Sequence, residues 1–264
     1  MNAMSSLFLP RIIGYFVFFG TLLYFERIFP YAGSDQRKSF RVFFHLGISV
    51  TNSLVLYSIM AWPINAAISN SVITQAGLRH FLGLHGGTEI LGTVTIFDLW
   101  DYWMHLANHR IRFLWRFHKA HHSDMEIDVT TSARFHIGEL IISGSVKCLI
   151  ILFWGPSLAG LVIFDILLTC ASQFHHSNLN IPTRLQDVLE KAIVTPRMHR
   201  CHHALHKNCW NTNFSTILSI WDRLFGSYHW AKYTKEMEQI GLLKPRGPNT
   251  MQLRPFLITP FKGD

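Results

Sequence analysis

The 264-residue chain carries sixteen histidines, and ten of them fall in four short clusters, with an eleventh beside the last. The first is His105-Leu-Ala-Asn-His109 and the second is His118-Lys-Ala-His121-His122. The third is the pair His175-His176, and the fourth is His199-Arg-Cys-His202-His203, with His206 just beyond. On a helix, residues three or four apart share a face, with Cβ atoms about 5–6 Å from one another. An HxxxH spacing therefore aims two imidazoles at one point, and HxxHH is expected to aim three. Neutral imidazole is the commonest protein metal ligand and suits iron, zinc and copper, whereas magnesium and calcium want oxygen. One tetrahedral ion cannot use so many rings, so the spacing implies two metals. The ligands expected from spacing are His105, His109, His118, His121, His122, His199, His202 and His203. A solvated, basic histidine-rich face is the competing reading. It does not account for two HxxHH clusters, nor for their position at the edges of apolar segments.

Asp98 and Asp101 precede the first cluster so that 98, 101, 105 and 109 fall on one helical face. Two roles are open to them. They could accept the second ring N–H of a ligating histidine, a usual supporting contact, or they could be buried acids balancing Arg110 or Arg112.

The elements that must position these groups are apolar helices. Four stretches stand out: 7–29, with Pro10 and Arg11 near its start; 43–68, interrupted by Pro63; 90–108, which becomes histidine-bearing at its end; and 137–174. A membrane span takes about 20 residues, so 137–174 reads as a helical hairpin turned at Gly155-Pro156. Its arms are short and contain Glu139, Lys147 and Asp165, which fits a shallow or re-entrant hairpin. In lipid the backbone must satisfy its own hydrogen bonds, so helix is the expectation throughout. The expected fold is all-α: a membrane bundle of about four embedded helices.

Charge orients the bundle. Arg27, Arg37, Lys38 and Arg41 crowd the 26–42 loop, whereas 69–89 holds only Arg79. Residues 110–136 carry Arg110, Arg112, Arg116, Lys119 and Arg134, and twelve more Lys and Arg follow residue 175. By the positive-inside rule these basic segments share the cytosolic side, giving an outside N-terminus and a cytosolic C-terminus in a bacterial inner membrane or the endoplasmic reticulum. Charged residues make up 15% of the chain and hydrophobic ones 49%, which fits a membrane protein. The net charge of +8 is scattered, with no dense basic stripe, which argues against nucleic acid and for anionic headgroups. Cys148, Cys170, Cys201 and Cys209 form no CxxC pair and are expected to be reduced thiols. No cleaved signal peptide is expected. The chain reads as a single unit over 1–264: N-terminal helices over 1–89, a histidine-bearing region over 90–230 and a tail over 231–264.

Several stretches resemble the fatty acid hydroxylase/sterol desaturase superfamily. They are Asp98-Leu-Trp-Asp-Tyr-Trp-Met-His105-Leu-Ala-Asn-His109-Arg, Phe117-His118-Lys-Ala-His121-His122-Ser, Arg134-Phe-His136-Ile-Gly-Glu139, Phe174-His-His176-Ser-Asn178 and Thr195-Pro-Arg-Met-His199-Arg-Cys-His202-His203. The run from Asn211 through Trp221-Asp222-Arg223 to Gly226 resembles the family's closing signature. The resemblance covers roughly residues 90–230; the first 90 match only in hydrophobic character. It implies a membrane enzyme with a cytosolic, His-lined helical cap and two iron ions, which uses O2 and electrons from a separate ferredoxin- or cytochrome b5-type protein to oxidise a membrane lipid. It carries the metal role onto the eight histidines above and adds His176, whereas His175 is not required by the family. His45, His80, His85 and His229 read as structural or interfacial. Leu84-His85-Gly86-Gly87 lacks the proline of a haem-domain HPGG segment, so no fused cytochrome is inferred. Hydroxylation of an acyl chain or polar lipid is the leading expectation, with sterol or fatty-acyl desaturation on the same centre as the alternative. A membrane metal transporter or metal-binding protein is the reading from another class; it would set its ligands within the spans rather than at their ends.

Overall fold

The structure, a computed structural model, describes residues 3–33, 38–230, 239–243 and 248–262. Arg37 and, in the tail, Lys232, Lys235, Lys244 and Arg246 lie outside the described residues. The helices are α1 (Ala3–Ile28), α2 (Lys38–Thr74), α3 (Leu78–Phe81), α4 (Gly86–Arg110), α5 (Arg112–His122), α6 (Ile137–Trp154), α7 (Leu158–His176), α8 (Thr183–Leu189), α9 (Pro196–His203), α10 (Ile220–Leu224) and α11 (Leu253–Leu257). Short 3-10 turns link them, and the described residues contain no strand, only isolated bridges such as Ile193 with Leu218. The all-α expectation holds.

Among the described residues, three helices are long and apolar enough to cross a membrane: Lys38–Ser71 within α2, then α6 and α7. The apolar stretch at 90–108 forms most of α4, which is not among them. Its Glu89, Thr93, Phe97, Asp98 and Tyr102 are buried against neighbouring elements, so α4 packs as an interior helix. The hairpin turns where the sequence places it. Gly155 closes α6 in the left-handed region (φ 72°), a conformation glycine adopts without strain. Pro156 cannot continue the helix, and Ser157 starts α7 by accepting a hydrogen bond from the Gly160 amide at 2.9 Å.

Buried polar contacts tie the hairpin tip to the start of α4. Glu89 accepts from the Ser157 amide at 2.9 Å, from the Ser157 hydroxyl at 2.6 Å and from Thr93 at 2.8 Å. The Trp154 indole donates to the same Thr93 hydroxyl at 2.8 Å. A Cβ at Gly160 would lie 2.8 Å from Glu89 Oε1, so this contact requires glycine. Below the tip, Phe97, Phe164, Ile151 and Trp154 form an apolar core with Ala67 of α2. Lys147 and Asp165 pair across the two arms at 2.6 Å, satisfying two charges that the hydrocarbon would otherwise exclude.

At the other end of the bundle, a buried ion network holds the 124–134 segment. Arg41 binds Asp124 through two bonds of 2.7 and 3.0 Å and Asp128 at 3.1 Å. Lys38 bridges Glu26 and Asp128, each at 2.9 Å. The guanidinium of Arg41 holds the Asp124 carboxyl down to about 2, against the penalty of burial. The network joins the ends of α1 and α2 to the turn that follows α5, and thereby fixes the floor on which the histidines stand.

Candidate metal centre

The histidine-bearing helices converge at the end of the bundle opposite the hairpin tip. α4 supplies His105 and His109 from its last turns, α5 supplies His118, His121 and His122, α7 ends on His176, and α9 carries His199, His202 and His203. Thr195 caps α9, accepting from the Met198 amide, and Pro196 opens its first turn. The nine rings form two groups whose ligand-capable atoms lie within 4.8 Å of one another: His105, His109, His118, His122 and His202 in one; His121, His176, His199 and His203 in the other. The groups abut where His122 stacks on His203 at 4.2 Å between ring centroids.

Each HxxHH cluster splits between the groups instead of aiming three rings at one point. His118 and His122 go to the first group, while His121 goes to the second; His199 and His203 go to the second, while His202 goes to the first. Helical geometry explains the split. At 100° per residue, positions i and i+4 differ by about 40°, whereas i+3 falls about 100° from i+4. A helix running between two centres therefore gives its i/i+4 pair to one and its i+3 ring to the other.

Main-chain carbonyls fix the orientation of four of the nine rings and of His175 beside them. His105 Nδ1 donates to the Phe214 carbonyl at 2.8 Å, His202 Nδ1 to Thr212 at 2.7 Å and His175 Nδ1 to Thr216 at 3.2 Å. Carbonyls 212, 214 and 216 thus meet three rings from alternate residues of one segment, which turns through Asn213 in the left-handed region (φ 55°). His121 Nδ1 donates to the Arg134 carbonyl at 3.1 Å and His176 Nδ1 to Ser172 at 2.7 Å. His118 Nδ1 meets a carboxylate instead, Glu139 Oε1, at 2.7 Å.

A carbonyl only accepts, so each ring bonded to one carries its proton on Nδ1 and leaves Nε2 as a bare lone pair. The Nε2 atoms converge. His176 Nε2 stands 3.1 Å from His121 Nε2 and 2.9 Å from His199 Nε2, and His203 Nε2 stands 3.1 Å from His199 Nε2. In the other group, the buried Nε2 atoms of His109, His118, His122 and His202 have no hydrogen-bond partner. Burial, and after it the neighbouring imidazoles, holds His122, His199 and His203 far below the ordinary histidine value, and His202 falls to about 3. Neutral rings with converging lone pairs are the donor set that a pair of transition-metal ions requires.

The two aspartates touch no ring. Asp98 accepts from the amides of Ile217 and Leu218, both at 3.1 Å, and from the Trp221 indole at 2.7 Å. Asp101 hydrogen-bonds the Thr216 side chain. Both act on the segment that bears the orienting carbonyls, and Asp222 secures its other side through the amides of Phe214 at 2.7 Å and Ser215 at 3.0 Å. The Nδ1 of His105, which spacing aligns with these aspartates, is taken by the backbone.

Two residues close to the centre escaped the spacing argument. The His175 ring lies 4.0 Å from that of His199. Glu139 stands in the Arg134–Glu139 stretch, but nothing in its spacing predicts a bond to His118. His45, read as structural, is buried and bonds Thr130 at 2.8 Å. On the far face of α9, the thiols of Cys201 and Cys209 touch at 2.6 Å with His229 nearby, and no disulfide forms among the described cysteines.

A cavity of about 440 Å³ opens beside both groups, between α2, α4, α6 and α7, with His105, His118, His121, His176 and His199 in its wall. A second, of about 620 Å³, reaches His109, His122, His202 and His203 from the side of Trp115, Trp210 and Leu243.

Comparison with known proteins agrees with this geometry. Alkylglycerol monooxygenase from Danio rerio is 30% identical over 170 residues, which are 62% of this chain and 35% of that protein. The ornithine lipid hydroxylase OlsE from Rhizobium tropici is 26% identical over 211 residues, 78% of this chain and 62% of its own. Human cholesterol 25-hydroxylase is 24% identical over 140 residues, covering 53% of this chain and 50% of that one. The chain therefore spans between about a third and three fifths of these relatives. No solved structure matches it. Residues 90–227, more than half of the sequence and the whole span from α4 to the segment after α10, match the model of the fatty acid hydroxylases, and the chain belongs to that family.

Proposed function

We propose that this protein is an integral-membrane lipid hydroxylase that uses O2 and holds two iron ions on nine imidazoles, His105, His109, His118, His122 and His202 around one, and His121, His176, His199 and His203 around the other. The observation that supports this reading is the convergence of nine buried imidazoles, with His121 and His176, each protonated on Nδ1, meeting through bare Nε2 lone pairs. When bound, the two irons supply the reductive activation of O2 that attack on an unactivated C–H bond needs. The chain's own residues do the rest. Thr212, Phe214, Thr216, Arg134 and Ser172 hold the rings through their carbonyls, and Glu139 holds His118. The cavity between α2, α4, α6 and α7 brings a lipid alongside the imidazoles from the membrane layer and limits its exposure to water.

The ion network supports a membrane topology. Lys38 and Arg41 meet the 124–134 segment at the histidine end, whereas the 74–89 turn meets the hairpin tip, where Arg79 donates to the Gly155 carbonyl at 2.6 Å. The histidine end and the C-terminus are cytosolic in this reading, so that a soluble ferredoxin- or cytochrome b5-type protein reaches the site.

The deciding experiment reconstitutes the protein with Fe(II) in lipid vesicles, supplies ferredoxin and its reductase, and follows O2 uptake together with the mass of the lipids. Oxygen-labelled lipid that gains one atom from ¹⁸O2 is expected, and zinc-loaded protein should give none. Iron-loaded protein with two metals per chain that leaves every vesicle lipid unchanged would remove the hydroxylase reading.

A further inference from the structure

The wall of the 440 Å³ cavity has two characters. Leu56, Leu140 and Leu168 give it an apolar side. Toward the imidazoles it is polar, and two buried acceptors there lack partners. Gln173 is 1% exposed, and its Oε1 has no hydrogen bond, while its Nε2 donates to the Tyr15 carbonyl at 3.4 Å. Glu139 is 6% exposed; one carboxylate oxygen is taken by His118 and by Asn108 at 3.3 Å, and Oε2 has no partner. A buried acceptor without a donor is destabilising, more so when charged, so two beside one cavity mark a place where a ligand supplies the donors.

Both acceptors lie at the reacting end. Glu139 touches His118 directly, and Gln173 stands three residues before His176 on the same helix, so the two side chains share a face. This end is also where the spans run out: α7 ends on His176, and its 19 residues cover about 28 Å, close to the thickness of the hydrocarbon core. A lipid lying in its ordinary orientation therefore has its polar–apolar boundary beside the imidazoles and its chain along Leu140 and Leu168 toward the hairpin tip. A terminal methyl would have to fold back through the bilayer to reach the same point.

Resting on the hydroxylase reading above, we infer that the cavity selects a lipid bearing a hydroxyl or amide N–H within a few bonds of the carbon that reacts, donated to Gln173 Oε1 and Glu139 Oε2. The oxidised position is then close to the head of the lipid and away from the end of its chain.

The test is a binding comparison that needs no turnover. Metal-loaded protein in detergent is offered 1-O-hexadecylglycerol and its 2,3-di-O-methyl ether, which share one alkyl chain, and retention is read by native mass spectrometry. The free-hydroxyl lipid should be retained about tenfold or more over the ether, because a site built around hydrogen bonds rejects the analogue that cannot make them. Gln173→Leu, with metal content unchanged, should reduce that preference to about threefold or less. Equal retention of the two lipids by the wild-type protein overturns the inference, as does a Gln173→Leu variant that keeps the full preference. Should Gln173→Leu fail to fold, the wild-type comparison decides alone. A clear preference for the free hydroxyls, with no O2 uptake on either lipid by iron-loaded protein, would support the subsite and count against the hydroxylase reading.

Discussion

His121 and His176 face each other through Nε2 atoms 3.1 Å apart, although each ring spends its proton on a backbone carbonyl behind it. Two lone pairs at that distance repel, and a cation between them reverses the sign of the interaction. His121→Ala and His202→Ala, one from each group, should therefore each lower the metal content by about one ion per chain or more and abolish lipid oxidation. His85→Ala, outside both groups, should leave about two ions in place. Elemental analysis of the purified proteins gives the ordering, and equal metal content in all three variants contradicts the ligand assignment.

Asp98 governs the site from a distance. Removing its carboxylate leaves the amides of Ile217 and Leu218 and the Trp221 indole buried without an acceptor, at about 1–3 kcal/mol each. Asp98→Ala is expected to lower the thermal unfolding temperature of the iron-loaded protein and to weaken metal retention against a chelator by about 10–100-fold. A variant that unfolds earlier but holds metal as tightly as the wild type would separate the 212–221 segment from ring orientation.

Much of this was legible in the sequence. The hairpin at Gly155-Pro156 follows from hydropathy and from two residues that can do little else; the gathering of eight histidines follows from helical spacing, and that of His176 from the family resemblance. The division of each HxxHH between two groups did not, because it depends on where a helix passes relative to two centres. The bonds of Asp98 and Asp101 were hidden for a similar reason. Their partners are more than a hundred residues away, and the carbonyls at 212, 214 and 216 that hold the rings leave no trace in side-chain identity.

Acid should act on the metal-free protein in a defined direction. His202 in the folded chain lies near 3, and His122, His199 and His203 are also held far below the unfolded value of about 6.5. Below that value the unfolded chain binds more protons, so stability is lost as the pH falls through about 6.5 and continues to fall toward the folded values. Each strongly depressed ring contributes about 1.4 kcal/mol per pH unit in that range. Chelator-treated protein should lose unfolding temperature steadily between pH 6.5 and 5, while Asp124, held near 2, adds its own loss only below about 4. A flat profile from pH 7.5 to 5 would mean that the apo protein relaxes and exposes its rings.

Reporters can read the topology directly. A fusion after Asp264 should report the cytosol, and one inserted near Gly83, in the turn beside the hairpin tip, should report the opposite side. Both on one side would require that α2 does not cross.

The alternating carbonyls of Thr212, Phe214 and Thr216 have a consequence for how this centre tolerates change. Every residue type, proline included, offers a main-chain carbonyl of the same kind. A substitution that changes only a side chain therefore leaves ring tautomer and basicity unaltered, provided Asn213 in the left-handed region (φ 55°), Asp98 and Asp222 still hold the path of the chain. The electronic setting of the metals is in this sense inherited through the path of the chain and shielded from the alphabet written on it.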